Sequence, residues 1–129
     1  MEELRRYRKR ADQPIVAVQL DLDTDGFTYT KWGGEQRCKR GDWVVDNDGE
    51  IYTIDAGVFA RTYRRVAPGR YVKTTRVWAR VTTDAGRIKT KEGASDYTPG
   101  DYLVYNDPDG EDGYCVEPEK FTAMYEEDD

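Results

Sequence analysis

The segment Thr75-Arg76-Val77-Trp78-Ala79-Arg80-Val81 carries the side chains best suited to chemistry. Read as a strand with a period of two, it places Val77, Ala79 and Val81 on one face and Arg76, Trp78 and Arg80 on the other. The second face sets an aromatic ring between two guanidinium groups. That combination can stack a base and grip a phosphate through bidentate hydrogen bonds. The plainer account is packing: Trp78 against the other half of the chain or a second protomer, with the arginine stems lying over it. Arg61, Arg64 and Arg65 make a second basic cluster. Arg61 and Arg65 are four residues apart and would converge on one anion if a helix ran through both; a solvated helix end is the simpler reading. Trp32 stands beside Gly33-Gly34. An aromatic ring on such a freely turning loop could close over a ligand, or equally could anchor the loop.

Other chemistries find less support. The chain has no histidine, which removes Ser-His and Cys-His nucleophiles and histidine metal sites. The acidic turns Asp46-Asn47-Asp48-Gly49-Glu50 and Asp107-Pro108-Asp109-Gly110-Glu111-Asp112 lack the twelve-residue calcium-loop spacing and read as hairpin turns. Carboxylates are plentiful, but no spacing singles out a catalytic pair. Neither a phosphate-cradling Walker loop nor a nucleophile elbow occurs. Cys38 and Cys115 are far apart and fit no zinc motif, so they read as two small apolar side chains. No cofactor or metal is expected.

Charge is unevenly distributed. Residues 91–129 hold 2 basic and 13 acidic side chains, net −11, and residues 1–90 hold 18 and 13, net +5, giving −6 in all. Between Arg61 and Lys91 there are ten lysines or arginines and one acid, Asp84. Such asymmetry attracts an anion to one region and a cation to another, or lets the two regions neutralise each other. Overall acidity argues against duplex DNA as a partner. There is no apolar stretch of membrane-spanning length and no visible secretion signal, so a cytoplasmic protein with reduced cysteines is expected.

The elements that must position these residues come in two sets. Arg6-Tyr7-Arg8-Lys9 is echoed by Arg70-Tyr71-Val72-Lys73, and Gly41-Asp42-Trp43-Val44-Val45 by Gly100-Asp101-Tyr102-Leu103-Val104. Phe59-Ala60-Arg61-Thr62-Tyr63 is echoed by Phe121-Thr122-Ala123-Met124-Tyr125, and the offset stays between 59 and 64 residues. This order predicts two tandem repeats, 5–66 and 69–126, in one compact α+β domain around a pseudo-twofold axis. Each repeat should hold about four antiparallel strands and one short helix. The strands fall at roughly 14–20, 26–31, 43–46 and 50–54, then 75–82, 86–90, 102–105 and 113–117. Asp55 should cap the first helix, and Pro118 should open the second. The end, 126–129, is expected to fray.

Tyr7-Arg8-Lys9, the strand Pro14 to Gln19, Gly41-Asp42-Trp43 and Phe59-Ala60-Arg61-Thr62-Tyr63 resemble small phage and bacterial proteins with those landmarks. Pro99-Gly100-Asp101-Tyr102 is similar to the signature of the PGDYG family, with Leu103 where that signature has glycine. The resemblance implies a phage or mobile-element origin. It supplies no catalytic residue.

These readings converge on a non-enzymatic protein that sequesters a small anionic, nucleotide-like ligand, in a phage setting a host immune signal. Arg61, Arg65, Arg76, Trp78, Arg80 and Trp32 are the expected ligand-binding residues. The site should lie where the repeats, or the protomers of a homodimer, meet. Two alternatives stand beside it: a module that binds and inhibits a host protein, and a small carboxylate-dependent hydrolase of nucleotides.

Overall fold

A computed structural model describes residues 4–10 and 14–128. Its strands, in chain order, begin with β1 (Arg5–Lys9), β2 (Ile15–Gln19), β3 (Phe27–Lys31), β4 (Gly34–Cys38), β5 (Trp43–Asn47) and β6 (Glu50–Ile54). Helix α1 (Ala56–Thr62) leads into β7 (Tyr63–Ala67). There follow β8 (Arg70–Lys73), β9 (Val77–Val81), β10 (Gly86–Lys89), β11 (Ala94–Tyr97), β12 (Tyr102–Tyr105) and β13 (Gly113–Val116), then α2 (Pro118–Met124) and β14 (Tyr125–Glu127). The class is α+β, dominated by antiparallel sheet.

Two five-stranded sheets form the body, in the orders β6-β5-β2-β8-β7 and β13-β12-β9-β1-β14. The hairpins β3–β4 and β10–β11 stand apart as two-stranded ribbons. Strand β8 follows the first sheet's other strands in the chain yet lies between β2 and β7. Strand β1 opens the chain yet lies between β9 and β14 of the other sheet. The basic segment opening each half is therefore built into the sheet of the opposite half.

Local chemistry explains the elements. Strand β9 alternates as expected at its first four residues, with Val77 and Ala79 fully buried and Trp78 and Arg80 half-buried, but Val81, expected on the core face, is exposed at the strand's end. Asp48 and Gly49 both take positive φ, 53° and 90°, in the two-residue turn between β5 and β6. That backbone matches the twist of the strands it joins. Asp55 caps α1 by accepting from the Gly57 and Val58 N–H groups. Asp42 is buried because its carboxylate accepts from Lys39 N and Ala56 N, each at 2.9 Å, tying the turn before β5 to the start of α1. Pro118 opens α2, where its missing N–H costs nothing.

Each sheet holds its own core. One gathers Ile15, Ala17, Val45 and Phe59; the other gathers Val77, Ala79, Val104, Phe121 and Tyr125. Phe59 stacks on Trp43 at 4.0 Å and on Tyr63 at 4.8 Å, while Phe121 stacks on Tyr102 at 3.9 Å and on Tyr125 at 5.0 Å. The exchanged strands complete these stacks edge-on. Tyr71 of β8 meets Phe59 at 5.1 Å, and Tyr7 of β1 meets Phe121 at 4.8 Å. Each ring contributes roughly 1.5–3 kcal/mol by its burial.

The expected strands are all present, but the structure adds β1, β4, β7, β8, β11 and β14. Their solvent faces are charged, as in Arg5-Arg6-Tyr7-Arg8-Lys9 and Tyr63-Arg64-Arg65-Val66-Ala67, so only one or two side chains signal a core. The expected fraying of 126–129 gives way to pairing through Glu127: Tyr125, Glu126 and Glu127 face Lys9, Arg8 and Tyr7 across β1. Asp128 is held by Arg6 and Arg76 at 3.0 and 2.6 Å; Asp129 lies outside the described residues. Cys38 is buried, Cys115 is half-buried, and both are free thiols. Among the described residues no helix is long and apolar enough to cross a membrane.

Candidate functional site: a cavity lined by both sheets

A cavity of about 780 Å³ has walls drawn from both halves of the chain. Lys9 ends β1 and Lys73 ends β8, and both reach this cavity. Period two explains why. Lys9 shares a strand face with Tyr7, and Lys73 with Tyr71, and those tyrosines point inward. Lys9 is buried, with 9% of its surface exposed.

Lys73 is the more informative of the two. Its Nζ donates to Asn106 Oδ1 at 2.9 Å and to the Tyr114 hydroxyl at 3.1 Å. It also lies 5.8 Å from the ring centroid of Tyr63 and 5.4 Å from that of Tyr114. These three residues are neutral. Burial depresses the Lys73 ammonium to about 7, the nearby charges of Lys9 and Arg61 push the same way, and Asp112 opposes them. Neutral dipoles and ring faces therefore do not replace the hydration this charge has lost.

Four tyrosines line the same space: Tyr52, Tyr63, Tyr114 and Tyr125. Burial holds all four phenols protonated, with Tyr52 pushed up to about 12 and the other three raised. The Tyr114 and Tyr125 hydroxyls are 3.0 Å apart, and Asn47 Nδ2 donates to the Tyr52 hydroxyl at 3.1 Å. Each phenol thus offers a hydroxyl dipole and a ring face without charge.

Four of the acids on the walls are already engaged, and Asp48, Asp101 and Glu117 line the cavity beside them. Asp112 accepts from Arg61 at 2.9 Å and from Asn106 Nδ2 at 3.1 Å. Glu50 pairs with Lys120 and accepts from Trp32 Nε1 at 3.3 Å. Asp96 pairs with Arg87 at 2.7 Å. Glu92 accepts the Asp55 N–H at 2.7 Å, and burial raises its pKa. Among the described residues no three His, Cys, Asp or Glu side chains gather to hold a metal ion.

Of the expected binding residues, Trp32 lines the cavity. Its ring is 5.8 Å from that of Tyr52, and Lys31 Nζ lies 5.1 Å from its centroid. The turn that carries it is tied down: the Trp32 carbonyl accepts the Asp96 N–H at 2.8 Å, and the Gly33 carbonyl accepts from Arg87 at 2.8 Å. Arg61 stands behind the wall, engaged with Asp112. Helix α1 stops at Thr62, so Arg65 lies exposed on β7 and is not one helical turn from Arg61. Arg76 is bound to Asp128, and Trp78 and Arg80 occupy the face of β9 opposite Val77 and Ala79. None of these last three lines the cavity. The sequence reading therefore spread its six residues over three places.

It did not single out Lys9, Lys73, Asn106 or the four tyrosines as a site. A signal existed. Lys9 and Lys73 close matching basic segments, each two residues beyond a tyrosine. A lysine on the tyrosine face of a strand is directed toward the same interior as the tyrosine. No family model, curated protein or solved structure matches the chain.

Proposed function

We propose that the protein is a non-enzymatic binder that holds one small anionic, nucleotide-like ligand in this cavity. The observation that carries the reading is Lys73: an enclosed amine on a cavity wall, hydrogen-bonded to neutral partners. A phosphoryl oxygen beside it would restore the full ammonium and gain a charge-assisted hydrogen bond. The phenol rings and Trp32 offer apolar faces and hydroxyls to a base and sugar. Three of the wall carboxylates, Asp112, Asp96 and Glu50, are already paired with Arg61, Arg87 and Lys120, which favours an anion beside Lys73. Sequestering a nucleotide-derived signal is the role that the phage-like resemblance suggests for such a protein.

The cavity draws on both halves, which we read as copies related by a pseudo-twofold axis. Matching sheet orders, matching stacks on Phe59 and Phe121, and the exchanged leading strands support that reading. Calorimetric titration of the full chain with a panel of nucleotides tests the function. Saturable heat that weakens strongly in Lys73→Met is expected, and no heat from any member at high protein concentration would refute it.

A further inference from the structure

The outer faces of the two sheets are built differently. Strands β2 and β9 are the central strands of their sheets. On β9 the outer face carries Trp78 and Arg80, with Arg6 across the register from Trp78. Beside them Arg6 and Arg8 pair with Asp128 and Glu126, each at 3.0 Å. On β2 the outer face carries Val16 and Val18, 45% and 65% exposed. Val44 and Ile51 continue it over β5 and β6, and a groove of about 150 Å³ runs across these four side chains. Ile51 is 52% exposed, and Val66 on the opposite edge strand, β7, is 46% exposed. The β3–β4 ribbon reaches this face at one corner, where the Tyr29 hydroxyl lies 2.6 Å from Thr53 Oγ1. The other sheet stands with arginines on its outer face, so the fold itself does not call for valines here. A contiguous apolar face left in water marks a surface that associates.

The charges on this face say what covers it. Asp46 of β5 and Arg70 of β8 both lie across the register from Val16, one on each side. Residues directly opposite in a sheet share a face, so the row reads acid, valine, base. Both charged residues are exposed. Asp46 Oδ1 accepts the Gly49 N–H at 2.8 Å, and among the described residues neither Asp46 nor Arg70 has an ion-pair partner. Such a row is complementary to itself. A twofold axis running along β2, midway between two facing sheets, sets Val16 on Val16 and each Asp46 over the other copy's Arg70. It also sets the Ile51 edge against the Val66 edge. Facing sheets pack about 10 Å apart, a gap that valine and isoleucine side chains fill and that an aspartate and an arginine together span. We infer that a second copy of this chain docks on this face, sheet on sheet, in an isologous homodimer closed by two Asp46–Arg70 pairs. The seam does not use the cavity, which lies against the opposite face of the same sheet, where Tyr52, Tyr63 and Lys73 point.

Sedimentation equilibrium of the full chain tests this. Between about 1 and 200 µM a monomer–dimer equilibrium is expected. Val18→Lys should weaken it roughly a hundredfold, with an unchanged circular dichroism spectrum, because it places an unpaired charge in the seam. Asp46→Arg and Arg70→Asp should each leave a monomer, since each sets like charges against one another. Mixed in equal amounts, those two variants should dimerise again, because both pairs of the mixed dimer then join opposite charges. A native chain that stays monomeric throughout the range overturns the inference and leaves the face to a different partner. A dimer indifferent to both Val18→Lys and Arg70→Asp overturns it too, as does a mixture that stays monomeric. If Asp46→Arg does not fold, for want of its bond to Gly49, the native chain, Val18→Lys and Arg70→Asp still decide.

Discussion

Lys73 and Arg76 are three residues apart in the chain and meet opposite fates. Arg76 lies on the outer side of its sheet, where its Nε reaches Asp128 at 2.6 Å and where Arg6 and Arg8 crowd the same carboxylate at 3.0 and 3.6 Å. That cluster is settled by its own counter-charge and by water. Lys73 ends a strand whose alternate side chains face inward, and it meets amide, phenol and ring. A charge compensated at the surface has little left for a ligand. A charge desolvated against neutral dipoles has nearly all of its attraction uncommitted. In a chain with twenty basic residues, abundance of cations is therefore a poor guide to a site, and what surrounds each one is a good guide.

The comparison can be broken in several ways. The largest effect should come from Tyr71→Ala, two residues before Lys73. It removes the edge-on ring beneath Phe59 and should cost about 3 kcal/mol in urea unfolding. A loss below about 1 kcal/mol would mean that the exchanged strand is not part of the core. Next, Lys73→Met should lower nucleotide affinity roughly a hundredfold without lowering the melting temperature, because it replaces a desolvated charge with an apolar chain of similar length. Arg76→Met should leave affinity unchanged, and equal losses in the two variants would erase the distinction.

The third effect depends on pH. The Lys73 pKa is about 7 in the folded protein and near 10.5 when unfolded, so between these values the unfolded chain holds more protons. The penalty for burying the ammonium is full below about pH 7 and is relieved as pH rises. Stability of the free protein should increase from pH 7 toward pH 9, before the phenols of unfolded chains ionise, and Lys73→Met should flatten that rise. Binding of an anion should take up a proton, visible when titrations at pH 8 are repeated in buffers of different ionisation enthalpy. The smallest effect belongs to Arg76→Ala. Its slight loss of melting temperature should vanish in high salt, since Asp128 keeps Arg6 and Arg8.

Much of the fold was legible. Alternation along Val77-Trp78-Ala79-Arg80, the Asp48-Gly49 turn and the Asp55 cap each express a rule that operates within a few residues. The site was less legible because its residues gain meaning from neighbours distant in sequence. Lys73 and Asn106 are 33 positions apart, and Lys73 and Tyr114 are 41 apart. Trp32 was found because an aromatic beside two glycines stands out locally. Lys9 and Lys73 were lost among arginines, of which period two places Arg6, Arg8 and Arg70 on the opposite face.

The amino-acid order alone determined which side chains share a strand face, that the chain turns at Asp48-Gly49 and that Tyr63 and Tyr125, four residues on, lie beside Phe59 and Phe121. Those outcomes follow from backbone period and steric preference over short stretches of chain. Tertiary structure decided that β1 and β8 trade sheets, that Tyr125 lies across from Lys9 and Tyr63 across from Lys73, and that a cavity receives both lysines. A strand's own pattern states which face is apolar, whereas its edge hydrogen bonds would satisfy any neighbour. The choice of neighbour is made by the packing of the whole chain.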